Sequence, residues 1–136
     1  MRKSVGCCLL VVLALFVEGS TGQEVSGIRA KANLTGYCPC SVCCGKNARF
    51  GRTSTGRDAR ARPLGAATDP RVVPYGCTIL IPGVGRRVVD DTGGAMRQDA
   101  KRGILHIDVR FSTHAEARLF GKKWQWVTIW PKARRR

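Results

Sequence analysis

Hydrophobic residues occur along the chain in short runs, most of which are separated by glycine or proline. Short runs rich in valine and isoleucine are typical of β-strands. Two of them, CTILI and RRVV, flank the turn sequence PGVG and predict a hairpin. In chain order, strands are predicted at residues 32–38, 66–68, 77–81, 86–89, 104–111 and 124–130, with at most one further short strand near Thr53–Thr55.

One short helix is predicted, at residues 114–120. Thr113 and Glu116 have the spacing of a capping box, and Gly121 follows where such a helix should end. The charged stretch MRQDAKRGILH at residues 96–106 is predicted to be a loop, and residues 23–31 are predicted to be a polar, flexible segment. Many short strands with one small helix, no repeat and no second domain predict a compact, mainly β barrel.

The first 22 residues have the features of an export signal. Two basic residues precede the apolar run Leu9–Val17, which is too short to span a membrane but typical of a signal peptide. Ser20 and Gly22 are small residues at positions −3 and −1 of a cut before Gln23. The mature protein is therefore predicted to be periplasmic or extracellular, with no transmembrane segment. An uncleaved anchor is the alternative.

The protein is strongly basic, with 24 Lys and Arg against 9 Asp and Glu and a formal net charge of +15. A charge of this size predicts an anionic partner. Because export is expected, anionic envelope polymers are favoured and nucleic acid is not expected. A nucleic-acid-binding protein would require the export signal to be false. The basic tail at residues 132–136 is a candidate contact patch, although such short runs are often only solvated.

Five cysteines follow the predicted cut, four of them in the cluster CPCSVCC. Disulfides are the usual state of cysteines in exported proteins, and an odd number leaves one thiol unpaired. Zinc held by four thiolates is the alternative, disfavoured because two adjacent cysteines suit tetrahedral ligation poorly. No metal and no cofactor are therefore expected. The disulfide candidates are Cys38, Cys40, Cys43, Cys44 and Cys77; a bond from the cluster to Cys77 is one arrangement, and the pairing stays open.

Three aspartates lie at the ends of apolar strands or inside them: Asp69 in ATDP, Asp91 in VDDTGG and Asp108 in HIDV. A carboxylate flanked by isoleucine and valine is costly to bury without partners, and carboxylates placed close together raise one another's pKa. A carboxylic acid with a raised pKa is what protonation of a glycosidic oxygen requires. The alternative is that each aspartate caps a turn, which would suit Asp69 before proline.

Histidines and tryptophans are weaker candidates. His106 shares a strand face with Asp108, so it is a candidate to line a groove, although strand histidines are more often structural. His114, like His106, has no clear metal-ligand set apart from the cysteines. The last strand carries three tryptophans on one face: Trp124, Trp126 and Trp130. Sugar rings can stack on such indoles, but a barrel core uses them equally well, and two of the three are expected to belong to the core.

Five fragments occur in the order seen in the three-aspartate (3D) domain, and the resemblance covers residues 32–130. They are TGYCPCSVCCG, GRTSTGRDA, GAATDPRVVPYGCTILIPGVG, VVDDTGGAM and HIDVRFSTHAEARLFG. The 3D domain resembles the catalytic barrel of membrane-bound lytic murein transglycosylase A. The resemblance implies a six-stranded double-psi β-barrel over residues 32–131, a fold shared with rare-lipoprotein-A-like transglycosylases, expansins and barwin-like proteins.

Position by position, the resemblance places the family's three aspartates at Asp69, Asp91 and Asp108, with Asp108 as the catalytic acid. Asp90 falls at a variable position, and strand alternation is expected to point its side chain toward solvent. Two glycines after Thr92 leave room for a sugar to approach the backbone. The candidate sugar-binding residues are Thr35, Tyr37, Thr92, Gly93, Gly94 and Arg97, and Lys101 and Arg102 compete with Arg97 for the anionic groups of the substrate.

The implied activity is cleavage of the β-1,4 bond between N-acetylmuramic acid and N-acetylglucosamine in peptidoglycan. In lytic transglycosylases the muramoyl 6-hydroxyl attacks the anomeric carbon, so the product is a 1,6-anhydro sugar. One carboxyl group can then act as acid and afterwards as base, unlike the carboxylate pair of most glycoside hydrolases. Asp108 is expected to do both, while Asp91 and Asp69 keep its pKa high and orient sugar hydroxyls.

The chain departs from the family pattern at three places. Cys77 replaces a small hydroxyl residue, which is consistent with a disulfide to the cluster, and Arg110 replaces a tyrosine after IDV. The stretch at residues 96–106 is longer and more charged than usual, so substrate preference is the property most affected. The rival function is a non-catalytic, expansin-like or barwin-like module that binds wall polysaccharide; the complete aspartate trio favours the enzyme.

Overall fold

Six strands and four short helical segments lie within residues 26–133, the part of the chain that the computed structural model describes. The predicted signal peptide at residues 1–22 lies outside the described residues, as do residues 134–136 of the predicted basic tail. In chain order the elements are β1 (Ile28–Tyr37), α1 (Ser41–Cys44), a 3-10 helix (Gly45–Phe50), β2 (Gly65–Ala67), β3 (Thr78–Ile81), β4 (Gly85–Asp91), α2 (Gly94–Lys101), β5 (His106–Arg110), α3 (His114–Phe120) and β6 (Lys123–Trp130).

The six strands close into a barrel in the order β1–β5–β2–β4–β3–β6. β1 is parallel to β5 and β2 is parallel to β4, whereas the other neighbours are antiparallel. The predicted six-stranded, mainly β barrel is confirmed, and the double-psi arrangement of its strands stays a prediction. Within the described residues, no helix has the length and apolar character needed to cross a membrane.

Alternation along each strand fills the barrel interior with aliphatic side chains. On β5, Ile107 and Val109 have no exposed surface, and they pack with residues such as Leu34 of β1 and Ile79 of β3. Because consecutive strand residues face opposite sides, this packing fixes His106, Asp108 and Arg110 on the other face of β5. The core therefore determines which side chains of β5 can take part in polar chemistry.

The predicted hairpin is present. β3 and β4 pair antiparallel from Thr78 opposite Val88 to Ile81 opposite Gly85. The turn between them is closed by the amide of Val84, which donates to the carbonyl of Ile81 at 3.0 Å. Gly83, in this turn, has a φ of 78°, a conformation that favours glycine. The predicted helix at His114–Phe120 is also present with its capping box.

Two segments differ from the sequence-based expectation. The flexible segment expected up to residue 31 is wrong from Ile28 onward, because β1 begins there and pairs with β6. The expected loop at residues 96–106 is wrong in its first half, because α2 occupies Gly94–Lys101. The single predicted helix is thus joined by α1, the 3-10 helix and α2. Among the α2 residues only Met96 is buried, which explains why no apolar period was visible.

The tryptophans of β6 lie mainly outside the core. Trp124 is 55% exposed and Trp126 is 51% exposed, while Val127 between the outward-facing positions is buried. The expectation that two of the three tryptophans belong to the core is therefore wrong. The three tryptophans do lie on one face of the strand, as predicted, but this face is the outer surface of the barrel. Arginines lie over two of these rings: Arg29 over Trp126 and Arg86 over Trp130.

Candidate functional site

Asp108 lies where β5 and β1 run side by side. The parallel register places Thr35 directly opposite Asp108, and the Thr35 hydroxyl donates a hydrogen bond to Asp108 Oδ1 at 2.8 Å. Burial raises the pKa of Asp108 above its ordinary value, and the nearby Asp91 charge raises it further. The bond from Thr35 and the neighbouring His106 act in the opposite direction but do not cancel the effect. Asp108 is thus biased toward the protonated form.

Asp91, at the end of β4, is held by four donors. Its Oδ1 accepts from the amide and hydroxyl of Ser54 at 2.9 and 2.8 Å and from the amide of Thr92 at 2.9 Å. Its Oδ2 accepts from the hydroxyl of Tyr37 at 2.9 Å. Every one of these contacts uses the carboxyl group as an acceptor, which is how an ionised carboxylate bonds. The Asp91 carboxyl group is therefore fixed in position as a hydrogen-bond acceptor, an environment different from that of Asp108.

Asp91 and Asp108 line one pocket of about 460 Å³. Residues from Pro39 to Ala59 form one wall, and Thr92, Gly93 and Met96 also line the pocket. Pockets of this size hold small ligands or a few units of a polymer. The two carboxyl groups at its surface have different environments, and such a difference is what separates an acid role from a charged, stabilising one.

Asp69 does not join them. Although it follows β2 closely, its carboxylate binds the guanidinium of Arg71, with Arg71 Nη2 2.5 Å from Asp69 Oδ2, and accepts from the Arg71 amide at 3.0 Å. The hydrogen bonds from Arg71 lower the pKa of Asp69 to about 2. The expected role of Asp69 in raising the pKa of Asp108 is therefore wrong. The turn-capping alternative fits Asp69, because its backbone carbonyl also accepts from Val72 and Val73.

Asp90 is buried, and the expectation that it faces solvent is wrong. Its carboxylate pairs with the guanidinium of Arg110, and the Asp90 side chain is 4% exposed while that of Arg110 is fully buried. Arg110 also donates to the hydroxyl of Tyr37 at 2.9 Å and to the carbonyl of Arg62 at 2.8 Å. The adjacent aspartates thus have separate partners: Asp91 faces the pocket, and Asp90 neutralises a buried arginine.

Arg110 connects the buried Asp90 to the pocket. It binds the oxygen of Tyr37, and the same Tyr37 hydroxyl donates to Asp91, so a continuous hydrogen-bonded chain runs from Asp90 to Asp91. The chain fits only because residue 65 lacks a side chain, since a Cβ on Gly65 would lie 2.5 Å from Arg110 Cζ. Arg110 therefore positions Tyr37 and, through it, Asp91.

A second polar chain leads away from Asp108 to residues that the sequence did not single out together. Thr35 Oγ1 lies 2.8 Å from His106 Nε2 as well as 2.8 Å from Asp108 Oδ1. On the far side of the ring, His106 Nδ1 lies 2.7 Å from Asp99 Oδ2. Asp99, on α2, was missed because it is brought to β5 by a helix that the sequence pattern did not predict. The shared strand face of His106 and Asp108 was the one available signal.

The other expected sugar-binding residues are distributed around the pocket. Tyr37, Thr92 and Gly93 line it, whereas Thr35 is reached through its bond to Asp108. Gly94 begins α2, with no atom within 4 Å of the place where a Cβ would lie. Arg97 is exposed and its Nε lies 3.4 Å from the Thr92 hydroxyl, so it can reach the rim without lining the pocket. Lys101 and Arg102 lie at the far end of α2.

The five cysteines considered for disulfides are free in the structure. Cys77 is buried among the aliphatic residues of the barrel core, and Cys44 contacts the backbone carbonyl of Cys38. The bond expected between Cys77 and the cluster is therefore not formed, because the Cys77 thiol belongs to the core. The remaining three cysteines gather around the ring of a histidine: Cys38, Cys40 and Cys43 around His114.

Comparison with known protein families gives a match to the 3D domain. The sequence pattern of the 3D domain matches residues 65–131, which include all three aspartates and five of the six barrel strands. The cysteine cluster and the wall of the pocket lie before the matched region. No curated protein matches the chain. The 3D domain is the family of barrels resembling the catalytic barrel of membrane-bound lytic murein transglycosylase A, and it is linked to transglycosylase-like enzymes. The chain therefore contains a 3D domain at residues 65–131, a cell-wall-related barrel domain.

Proposed function

We propose that this protein is a lytic transglycosylase that cleaves the β-1,4 bond between N-acetylmuramic acid and N-acetylglucosamine. The observation that carries the proposal is the placement of Asp108. It is a carboxyl group with a raised pKa, and it shares a pocket of about 460 Å³ with a second carboxyl group, that of Asp91, which accepts hydrogen bonds from four donors. The match to the 3D domain supplies the class of reaction, and the pocket supplies a carboxyl group whose pKa is raised by burial.

In the first step Asp108 donates its proton to the glycosidic oxygen, and the bond from that oxygen to the anomeric carbon breaks. Positive charge develops on the sugar ring, and the nearby Asp91 carboxylate stabilises it. In the second step the muramoyl 6-hydroxyl attacks the anomeric carbon, and its proton passes to Asp108. The acid is thereby regenerated, the product is a 1,6-anhydro sugar, and no water is consumed.

Thr35 and His106 assist by giving the proton of Asp108 a second location. A hydroxyl has one hydrogen to donate, so Thr35 can bond its two neighbours in two ways. With Asp108 protonated, Asp108 donates to Thr35 and Thr35 donates to His106 Nε2. With Asp108 ionised, His106 Nε2 donates a hydrogen bond to the Thr35 hydroxyl, and that hydroxyl donates its own hydrogen to Asp108. Passing between these states moves one proton between Asp108 and His106 Nε2, while Nδ1, which lies beside Asp99, carries the other ring proton in both states.

Incubating the protein with purified sacculi and analysing the soluble products by mass spectrometry tests the proposal. Release of anhydromuropeptides by the natural protein is expected, together with their loss in Asp108→Asn. Asp58→Asn is the matched control, because Asp58 is an exposed turn residue whose acceptor bonds to backbone amides an asparagine keeps. Reducing-end products would show a hydrolase and contradict the lyase mechanism. Equal release by both variants would contradict the role of Asp108.

The substrate lies in the cell envelope, so the proposed function includes export. Residues 1–22 are proposed to be a signal peptide that is cleaved before Gln23. The measurement is the intact mass and N-terminal sequence of the protein recovered from the periplasm or medium. A mature chain starting at Gln23 is expected; an unprocessed chain in the cytoplasm would contradict this part of the proposal.

A second candidate function, binding of wall polysaccharide without cleavage, is favoured by the outer face of β6. Trp124 and Trp126 are about half exposed there, and indole faces are surfaces on which sugar rings stack. Binding of Asp108→Asn to sacculi, measured by co-sedimentation, tests this function separately from cleavage. Loss of binding on adding Trp124→Ala and Trp126→Ala would support it, and unchanged binding would leave the pocket as the contact site.

A further inference from the structure

Three sulfur atoms and one imidazole nitrogen converge beside the pocket, from parts of the chain that are far apart in sequence. They are the Sγ atoms of Cys38, Cys40 and Cys43 and the Nδ1 atom of His114, and all four lie within 4.8 Å of one another. Nδ1 lies 3.9 Å from Cys38 Sγ, 3.7 Å from Cys40 Sγ and 3.3 Å from Cys43 Sγ. Cys38 Sγ lies 3.7 Å from Cys43 Sγ and 2.9 Å from Cys40 Sγ.

These separations are close to those of a tetrahedral metal site. With Zn–S near 2.3 Å and Zn–N near 2.1 Å, neighbouring ligand atoms of a tetrahedron lie roughly 3.5 to 3.8 Å apart. Four of the five distances fall within about 0.4 Å of that range. The fifth, between Cys38 and Cys40, must lengthen for an ion to enter. We propose that Cys38, Cys40, Cys43 and His114 form a zinc site, with Zn²⁺ bound by three thiolates and one imidazole.

Local sequence explains why the ligands face one another. Cys40 and Cys43 have the C-x2-C spacing found in zinc sites, and α1 begins between them. The amide of Cys44 donates to the carbonyl of Cys40 at 2.8 Å, closing a helical turn that brings residues three apart to the same side. His114 is the first residue of α3, whose start is fixed by the capping box of Thr113 and Glu116. Both halves of the site are thus held by backbone structure.

The structure removes the objection that adjacent cysteines suit a tetrahedral site poorly. Cys44 is not a ligand: its Sγ lies 3.3 Å from the carbonyl of Cys38, away from the other sulfurs, and its side chain packs near Tyr37 and Met96. The fourth ligand is His114 instead, about 70 positions further along the chain. Three thiolates with one histidine is a recognised structural zinc set, and soft sulfur ligands favour zinc over calcium or magnesium.

The site would be structural, because four protein ligands leave no open position for water or substrate. Its place in the fold indicates what it stabilises. The segment that begins at Cys38 continues into the wall of the pocket, which includes Cys43 and residues up to Ala59. Zinc would fix the start of this wall to α3 and so hold it over Asp91, whose Oδ1 is bonded by Ser54 of the same wall. Zinc binding would therefore stabilise the shape of the pocket.

Zinc content and spectroscopy of the full chain test the site without measuring activity. The protein is purified in reduced form without chelators, zinc per chain is measured by elemental mass spectrometry, and Co²⁺ is titrated into the zinc-free protein. One zinc per chain and the intense absorption of tetrahedral, thiolate-bound Co²⁺ are expected. Cys43→Ser and His114→Ala should lose both signals, and chelation should lower the melting temperature of the natural protein but not of these variants.

Cys44→Ser is the matched control, because residue 44 adjoins the ligand Cys43 and its own sulfur points elsewhere. It should retain one zinc per chain. Retention of zinc by Cys43→Ser or its loss from Cys44→Ser would overturn the assigned ligand set. A natural protein that stays free of zinc when reduced and supplied with the metal would overturn the site itself. The site would also be overturned if protein recovered from cells were two hydrogens lighter than the reduced chain and the difference mapped to a disulfide within the cluster.

Discussion

Removal of one member of the buried charge pair between Arg110 and Asp90 should be costly. The Arg110 side chain is fully buried and that of Asp90 is 4% exposed, so neither charge is stabilised by water. Replacing one member leaves the other charge buried and uncompensated, which costs about 3–5 kcal/mol. Since whole domains are stable by only about 5–15 kcal/mol, Arg110→Met should lose a large share of the free energy of unfolding.

Urea unfolding followed by circular dichroism at neutral pH measures this loss. Arg102→Met is the matched control, because it makes the same substitution in an ion pair with Asp99 in which the arginine side chain is 66% exposed. Exposed pairs contribute only about 0–1 kcal/mol, so the control should lose little. In the double variant Arg110→Met with Asp90→Leu neither charge remains, and it should be more stable than Arg110→Met alone. Equal losses in Arg110→Met and Arg102→Met would refute the assignment of a buried pair.

Three further predictions concern single sites. Gly65→Ala should destabilise the protein by about 1–3 kcal/mol, because its Cβ would overlap the buried guanidinium 2.5 Å away, while Gly94→Ala, with open space around it, should cost less; denaturant unfolding compares them. The ion pair of Asp69 lowers its pKa to about 2, so its stabilising contribution is present above about pH 4 and is lost as the pH falls toward 2. Asp69→Asn should remove this part of the acid dependence of melting temperature, and an unchanged dependence would contradict it. His106→Gln and Thr35→Val should each slow release of anhydromuropeptides, by up to about 10²-fold, and the double variant should be no slower, because both break one relay; additive losses would argue against it.

The barrel could be predicted from sequence because its signals are local. Alternating aliphatic residues such as Ile107 and Val109 identify β5, and the turn after Ile81 identifies the hairpin. α3 was predicted from its capping box. α2 could not be predicted in this way, since it buries only Met96 and begins with glycine, which has low helix propensity. The first four residues of β1 are exposed or half-buried, so this end of the strand has no buried face for the sequence to show.

The site was partly predictable. The position of Asp108 between two aliphatic residues was a local sign of a buried carboxyl group, and the structure places Asp91 in the same pocket. The burial of Asp90 depends on Arg110, twenty positions away, so strand alternation alone assigned it to solvent. The contact of the cysteines with His114 depends on the closed barrel in the same way. Asp69 was the opposite case: its partner Arg71 is two residues away, and the turn was visible in the sequence.

The central physical claim is that the fold keeps the Asp108 carboxyl group protonated to an unusually high pH. Following its side-chain carboxyl carbon by NMR through a pH titration measures this directly, with Asp108→Asn identifying the signal. A titration midpoint above the ordinary value of about 3.9 is expected, and Asp91→Asn should lower it only in part, because burial is the larger cause. Because the folded protein binds this proton more tightly than the unfolded chain does, protonation of Asp108 stabilises the fold. This contribution to the free energy of unfolding should be lost as the pH rises through that midpoint. A midpoint at or below the ordinary value would contradict the account.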